Sequence, residues 1–186
     1  MTVKPVSDWA SSYKSGLEAY YARAASNPTE DASKFWQDWM DENTQGIEML
    51  APYSGSGVTT KTAFAPVSFS PSMLAPQSAK VLADCWQSYV NAITWSPPPP
   101  APPFSVITAA IPSTLGITAA YSALLSGLIA EFLIMPPDPT TALVTKAAAI
   151  SALFYTATIS SGVQLDGLAI PGAPPPPLTV PYTPVG

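Results

Sequence analysis

Asp38, Asp41 and Glu42 are the side chains in this sequence best spaced to do chemistry. At positions i, i+3 and i+4 of a predicted helix they share one turn, where three carboxylates could ligate a divalent cation or trade a proton. Either use needs a further ligand or a base that titrates near neutrality, and the 186 residues include no histidine. Without one, the trio reads as a solvated helix face. The serines meet the same obstacle, because a hydroxyl nucleophile needs a positioned base. No Ser-x-x-Lys pair falls beside a predicted cleft to replace the missing histidine. The Gly-Ser-Gly between Tyr53 and Val58 lacks the lysine and the following helix that turn a glycine loop into a phosphate cradle.

The single cysteine, Cys85, excludes an intrachain disulfide and a cysteine-built zinc site. It falls on the apolar side of a predicted helix, where it reads as a small core residue rather than a reactive thiol. Trp9, Tyr13, Tyr20, Tyr21, Phe35, Trp36 and Trp39 could line a ligand groove, but at these helical spacings they read as the core of a helical hairpin. The expectation is a protein that is no enzyme, with no cofactor and no metal, whose function lies in its surfaces.

The elements that carry those surfaces follow from hydrophobic period and from proline. Ser7 to Ser26 is predicted as an amphipathic helix through Trp9, Tyr13, Leu17, Tyr20 and Ala24. Asn27-Pro28 ends it, and Asn27, Pro28 and Glu30 are expected to start a second helix over Thr29 to Asn43 through a capping box. The two form an amphipathic hairpin within residues 1–50. Residues 51–70 read as a flexible loop (YSGSGVTTK) followed by an extended arm, TAFAPVSFSP.

Pro71 to Pro139 reads as one unit written twice: PSMLAPQSAKVLADCWQSYVNAITWSPPPP, then PSTLGITAAYSALLSGLIAEFLIMPPDP. Shifted by 39 positions, Cys85, Trp86, Tyr89, Val90 and Ile93 fall on Leu124, Leu125, Leu128, Ile129 and Phe132. Helices are predicted near Ala75 to Trp95, over Ser113 to Met135, and, with Asp138 as N-cap and Pro139 at its first turn, over Pro139 to Ser161. The prolines between the last two imply a tight antiparallel return. Residues 71–163 thus form duplicated apolar helix units, and residues 164–186 a Pro-rich extended tail with no core of its own. The fold class expected is mainly α, with an N-terminal helical hairpin followed by repeated helix units joined by Pro-rich extended arms.

Charge narrows the partners. Of the chain's 12 acidic and 7 basic residues, the 102 residues from Cys85 onward hold only Glu131, Asp138, Asp166 and Lys146. A free soluble domain gives about a quarter of its residues to charge, so this half suits contact with other subunits or with lipid. With seven Lys and Arg and no basic run, nucleic-acid binding has no electrostatic basis. The opening MTVKPVSDWASSYK lacks the apolar region of a secretory signal, which predicts synthesis into the cytoplasm.

Ile117 to Met135 is long enough for a membrane helix, since nineteen residues at about 1.5 Å each approach the roughly 30 Å hydrocarbon thickness. Ser122, Ser126 and Ala130 make a small-residue stripe suited to close helix packing. Against insertion stand Glu131 inside the span, the lack of flanking Lys or Arg, and eight Ser or Thr in Thr140 to Val163. The same stripe serves a protein assembly.

Extended segments such as PFSVIT and PLTVPYT can add to a partner's sheet edge or groove, and Pro runs act as stiff spacers. Phe104, Val106, Ile107, Leu178, Val180 and Tyr182 are therefore the candidate partner-binding residues. With charge-poor helices joined by such arms, the chain resembles in general character the small accessory proteins of tailed-phage virions. That resemblance implies a structural subunit of the capsid, neck, tail or baseplate, homo-oligomeric and bound to other protein subunits, made in the host cytoplasm and located in the virion. The alternative is a small holin-like or pore-forming membrane protein with a two-helix transmembrane hairpin. The Ala/Pro-rich helices also have the style of the secreted mycobacterial proline-proline-glutamate proteins, but that signature is absent, since Pro136-Pro137 is followed by Asp138.

Overall fold

The computed structural model describes residues 4–27, 29–44, 47–49, 51–53, 55–69, 73–134, 139–172 and 177–182. The chain is mainly α, with five helices and two small antiparallel sheets among these residues. Helix α1 spans Val6–Ser26 and helix α2 Ala32–Thr44. Trp9 and Tyr13 of α1 face Phe35, Trp36, Trp39 and Met40 of α2, all buried. Trp9 and Trp39 meet edge to face at 5.3 Å, and the Trp39 indole N–H donates to the Trp9 carbonyl at 3.0 Å. The expected hairpin is present, but α2 starts later than its capping signal suggested. Asp31 is the cap: its carboxylate accepts from the Ser33 amide at 2.8 Å. Asn27 instead closes a turn on Thr29, and Glu30 pairs with Arg23 at 2.6 Å rather than reaching back to a cap. A charged partner competed for that carboxylate and won.

The stretch after α2 is ordered by contacts to distant residues rather than being a free loop. Strand β1 (Gly57–Val58) pairs antiparallel with β2 (Thr94–Trp95), and Lys61–Ala63 form a 3-10 turn. Phe64 and Val67 are then buried in an extended segment that lies along α2. It has no strand partner among the described residues; its backbone is met by side chains. The Val67 amide donates to the Ser33 hydroxyl at 2.7 Å, and the Gln37 amide donates to the Phe64 carbonyl at 2.9 Å.

Helix α3 is Ala75–Asn91, opened by the Leu74 amide donating to the Gln77 side chain at 2.8 Å. Strand β3 (Phe104–Pro112) leads through the Ser113 cap into α4 (Thr114–Leu133), which is followed by α5 (Pro139–Ser161). Ser113 accepts from the Gly116 amide. The Asp138 cap expected for α5 lies outside the described residues, as do Pro71 and Ser72 of the first unit's start. α4 and α5 run antiparallel, with Gly116 against Ser161, Gly127 against Leu153 and Glu131 against Lys146. The backbones approach so closely that a Cβ on Gly116 would lie 1.9 Å from the Ser161 carbonyl oxygen.

Strand β4 (Val163–Ala169) follows α5 and pairs antiparallel with β3 on one side and with β5 (Leu178–Val180) on the other. Tyr182 then bridges to Met49. This corrects the expectation of a C-terminal tail, residues 164–186, that stands apart from the core, because Leu165, Val180 and Tyr182 are buried.

The hairpin, the three later helices and the sheet share one hydrophobic cluster. Phe154 of α5 stacks on Trp36 at 5.8 Å, Tyr155 meets Trp9 at 6.0 Å, and the Trp86 indole donates to Thr158 at 3.1 Å. Burial does not follow the 39-residue correspondence closely: Cys85, Trp86, Tyr89, Val90 and Ile93 are all buried, whereas of their counterparts Leu124 and Leu128 are buried and Leu125, Ile129 and Phe132 only half-buried. The larger unit, helix plus arm, is not repeated. α3 continues into β2 and β3, whereas α4 packs back to back with α5 and α5 runs into β4.

Candidate functional site

The candidate partner-binding residues lie on the three-stranded sheet or its continuation, and the sheet's irregularity decides which of them face out. A regular strand alternates with period two, so Phe104 and Val106 would share a face. Register shifts between Phe104 and Val106 and again between Ile107 and Ala109 break that alternation. Phe104, Ile107 and Ala110 turn inward, at every third position, while Val106 is 46 % exposed. Gly167 makes the irregularity possible, since any Cβ there would meet the Val106 carbonyl oxygen at 1.9 Å. Next to it Leu168 is 64 % exposed, and Ile111 also faces out.

Of the six candidates, Phe104, Ile107, Val180 and Tyr182 are buried in the chain's own core, Leu178 is half-buried, and Val106 is exposed. The two segments expected to be free arms are extended, as their sequences imply, but they find their sheet partners within the same chain. Four of the six side chains are therefore already occupied. The large apolar side chains that remain outward on the described strands are Val106, Ile111 and Leu168.

The acidic trio is dispersed among lysines. Asp38 accepts from Lys34 at 2.6 Å and Lys61 at 2.8 Å, and these hydrogen bonds hold its carboxyl below the usual carboxylate range. Glu42 pairs with Lys4 at 3.0 Å. No group of three or more His, Cys, Asp or Glu side chains converges among the described residues. Trp9, Tyr13, Phe35, Trp36 and Trp39 are core. Tyr13 and Tyr21 also border an open cleft of about 640 Å³ between α1, the start of α3 and the facing ends of α4 and α5. One wall of this cleft carries the Lys146–Glu131 ion pair, 3.2 Å apart and about one-fifth exposed at each side chain. The two charges stood out in the sequence as rarities; only the antiparallel return of α5 makes them partners.

Cys85 is buried against the core, and burial, with a smaller contribution from Asp84, pushes its thiol up to about 11. At neutral pH it is protonated and shielded. With a chromogenic disulfide at pH 8, the native protein is expected to leave Cys85 unmodified over the time that denaturant-unfolded protein reacts to completion. Rapid stoichiometric reaction of the native protein would contradict this placement.

No protein-family model matches the chain, no curated protein matches it in sequence, and no solved structure matches its fold.

Helix α4 completes the surface. Its 20 residues have a mean hydropathy of 1.5, long and apolar enough to cross a membrane by length and composition. Ile117, Ala120, Leu124 and Leu128 are buried against the rest of the chain. The outward face carries Leu115, Thr118, Ala119, Ser122, Ser126, Ala130 and Leu133. Neither this face nor the outward row of α5 (Thr145, Ala148, Ala152, Thr156 and Ser160) bears a charge.

Proposed function

We propose that the chain is a non-enzymatic structural subunit of a large protein assembly, with a phage virion as its setting. The observation that carries the reading is the pairing of exposure with lack of charge. Leu115 is 82 % exposed and Leu133 66 %, joined on the sheet by Val106, Ile111 and Leu168. Exposed apolar groups at this density, on a half of the chain nearly free of Lys, Arg, Asp and Glu, suit burial by neighbouring subunits. Docking then runs through the outer faces of the sheet and of the α4–α5 layer, with Val106 and Leu178 the candidates still available from the extended segments. The proline-rich stretches set the spacing of those faces.

The test is incorporation. The intact chain is expected to co-sediment with particles in the absence of detergent. Leu168→Glu buries an unpaired carboxylate in the contact and is expected to lower the incorporated fraction by about tenfold or more, with an unchanged far-ultraviolet circular dichroism spectrum. Full incorporation of that variant would remove the sheet face from the docking surface. The competing reading, a membrane protein spanning with the α4–α5 hairpin, is favoured by the length and hydropathy of α4. It predicts recovery of the chain with lipid in a flotation gradient instead.

A further inference from the structure

Between β2 and β3 the chain runs through Pro97-Pro98-Pro99-Pro100-Ala101-Pro102, a stretch whose sequence reads as a stiff spacer. Proline fixes its own φ at about −65° and drives the residue before it out of the α region. A run of prolines therefore takes up the polyproline II helix, with three residues to a turn. Burial follows that period: Pro98 is buried and Ala101 half-buried, whereas Pro97, Pro99, Pro100 and Pro102 are exposed. One edge of the helix lies on the protein and the other two face solvent. Pro97 and Pro100 stand one turn, about 9 Å, apart on one outer edge, and Pro99 and Pro102 repeat that spacing on the other. We propose that this ridge is a ligand, which docks into an uncharged, aromatic-lined groove on a different protein. It is an interaction surface separate from the sheet and the α4–α5 layer, and it does not depend on the virion setting.

Three observations carry the assignment. The first is the set of free acceptors. A groove that reads polyproline II packs aromatic rings on the prolines and donates hydrogen bonds to the ligand's carbonyls. Among the described residues none donates to the carbonyl oxygens of Pro97, Pro98, Pro99 or Pro100. The inner edge already uses the same chemistry within the chain. The Tyr53 hydroxyl donates to the Pro102 carbonyl at 2.8 Å, and the Tyr53 ring meets Phe104 edge to face at 6.3 Å.

The second observation is that both ends of the ridge are held. Trp95 pairs with Gly57 before it and Phe104 with Ala169 after it. The Phe104 amide donates to the Ala101 carbonyl at 2.9 Å. A free proline-rich segment loses conformational freedom when it docks; this one has lost it on folding, so that cost does not weigh against binding.

The third is charge. The sequence has no Asp, Glu, Lys or Arg between Asp84 and Glu131. A groove that adds an acidic pocket for a flanking lysine or arginine finds nothing to hold here, so the partner that fits is neutral. Lipid does not fit, because the outward carbonyls would lose water and gain no donor. Among the described residues only Tyr21 and Phe69 are exposed aromatic side chains, so a row of open aromatic rings must come from a different protein rather than a second copy.

The experiment titrates the full chain into two isotope-labelled polyproline readers, an EVH1 domain and a WW domain, followed by NMR chemical shifts. Shifts in the aromatic groove of at least one are expected, with a dissociation constant on the order of 100 μM. Pro97→Ala combined with Pro100→Ala strips one outer edge of its rings and is expected to weaken binding about tenfold or more. Both positions are exposed, and unchanged circular dichroism and melting temperature verify the fold. The affinity should hold from about 50 mM to about 500 mM NaCl, because no charge pair contributes. Absence of any shift in both domains at about 1 mM chain overturns the proposal. So does binding that salt abolishes, or binding that the double substitution leaves unchanged, which would move the contact to the second proline run, Pro174 to Pro177. Self-association of the chain alone, lost in the double variant, would make a second copy the occupant and also overturn it. A chain that binds as described yet never enters particles removes the virion reading and leaves the ridge standing.

Discussion

Phe154→Ala is expected to destabilise the protein by about 3–5 kcal/mol, the usual cost of emptying a fully buried aromatic site. Phe154 has no exposed surface and lies 5.8 Å from Trp36 and 5.2 Å from Trp39, ring centre to ring centre. Those tryptophans belong to the N-terminal hairpin, whereas Phe154 belongs to α5. The substitution therefore cuts the joint between the two ends of the chain rather than the interior of either. For a protein of this size the melting temperature should fall by roughly 10 °C or more. Tryptophan fluorescence reports mainly on the hairpin, and far-ultraviolet circular dichroism on all five helices. With one shared cluster the two signals should shift together and remain coincident. A hairpin that melts ahead of the remaining helices, or a loss below about 1 kcal/mol, would show that residues 1–50 keep a core of their own.

Gly167→Ala is expected to cost about 3 kcal/mol or more, although it adds a single methyl group. The new Cβ would lie 1.9 Å from the Val106 carbonyl oxygen and 2.9 Å from the Ile107 Cα. Both neighbours are backbone, so no rotamer change relieves the clash; β3 and β4 must separate where the register shifts. Loss of that pairing would also release Val106 and Leu168 from their outward positions. Gly172→Ala is the internal comparison. Gly172 has a φ of 86° and open space within 4 Å of where a methyl would stand, so alanine there meets only the left-handed backbone penalty of about 1–2 kcal/mol. Chemical denaturation of the two variants should rank them in that order. Equal stabilities would mean that the strands can reseat without the bulge, and that the exposure of Val106 does not depend on Gly167.

The helices were legible because their signals are local. The Asn27-Pro28 stop, Pro139 at a first turn and the hydrophobic period of the apolar runs act within a turn or two. α1, α4 and α5 accordingly begin and end within two residues of expectation. Where the local signal was duplicated, the choice passed to distant groups. Asn27 and Asp31 are both good caps, and Arg23 took the Glu30 carboxylate that the first of them needed. The candidate docking surface was legible only in part. That PFSVIT and PLTVPYT are extended follows from their prolines and β-branched residues. That Phe104 pairs with Ala169, and Val180 with Val163, does not.

Composition, hydrophobic period and proline placement thus determined the mainly α class, the boundaries of α1, α4 and α5 to within two residues, the antiparallel return of α5 and the charge-poor character of the second half; α2 starts three residues later than expected and α3 ends four residues earlier, at Asn91. Tertiary structure decided three other things: that the extended segments close on their own chain, that Glu131 and Lys146 become partners, and which side of α4 faces out. An amphipathic helix such as α2 announces its buried face by its polar one. α4 is apolar nearly all round, so its sequence holds no such contrast, and its outer face is whichever side α3, α5 and the core leave uncovered. Strand pairing has the same origin. A backbone hydrogen bond needs a partner, and the identity of that partner is set by how the whole core packs rather than by any neighbouring residue.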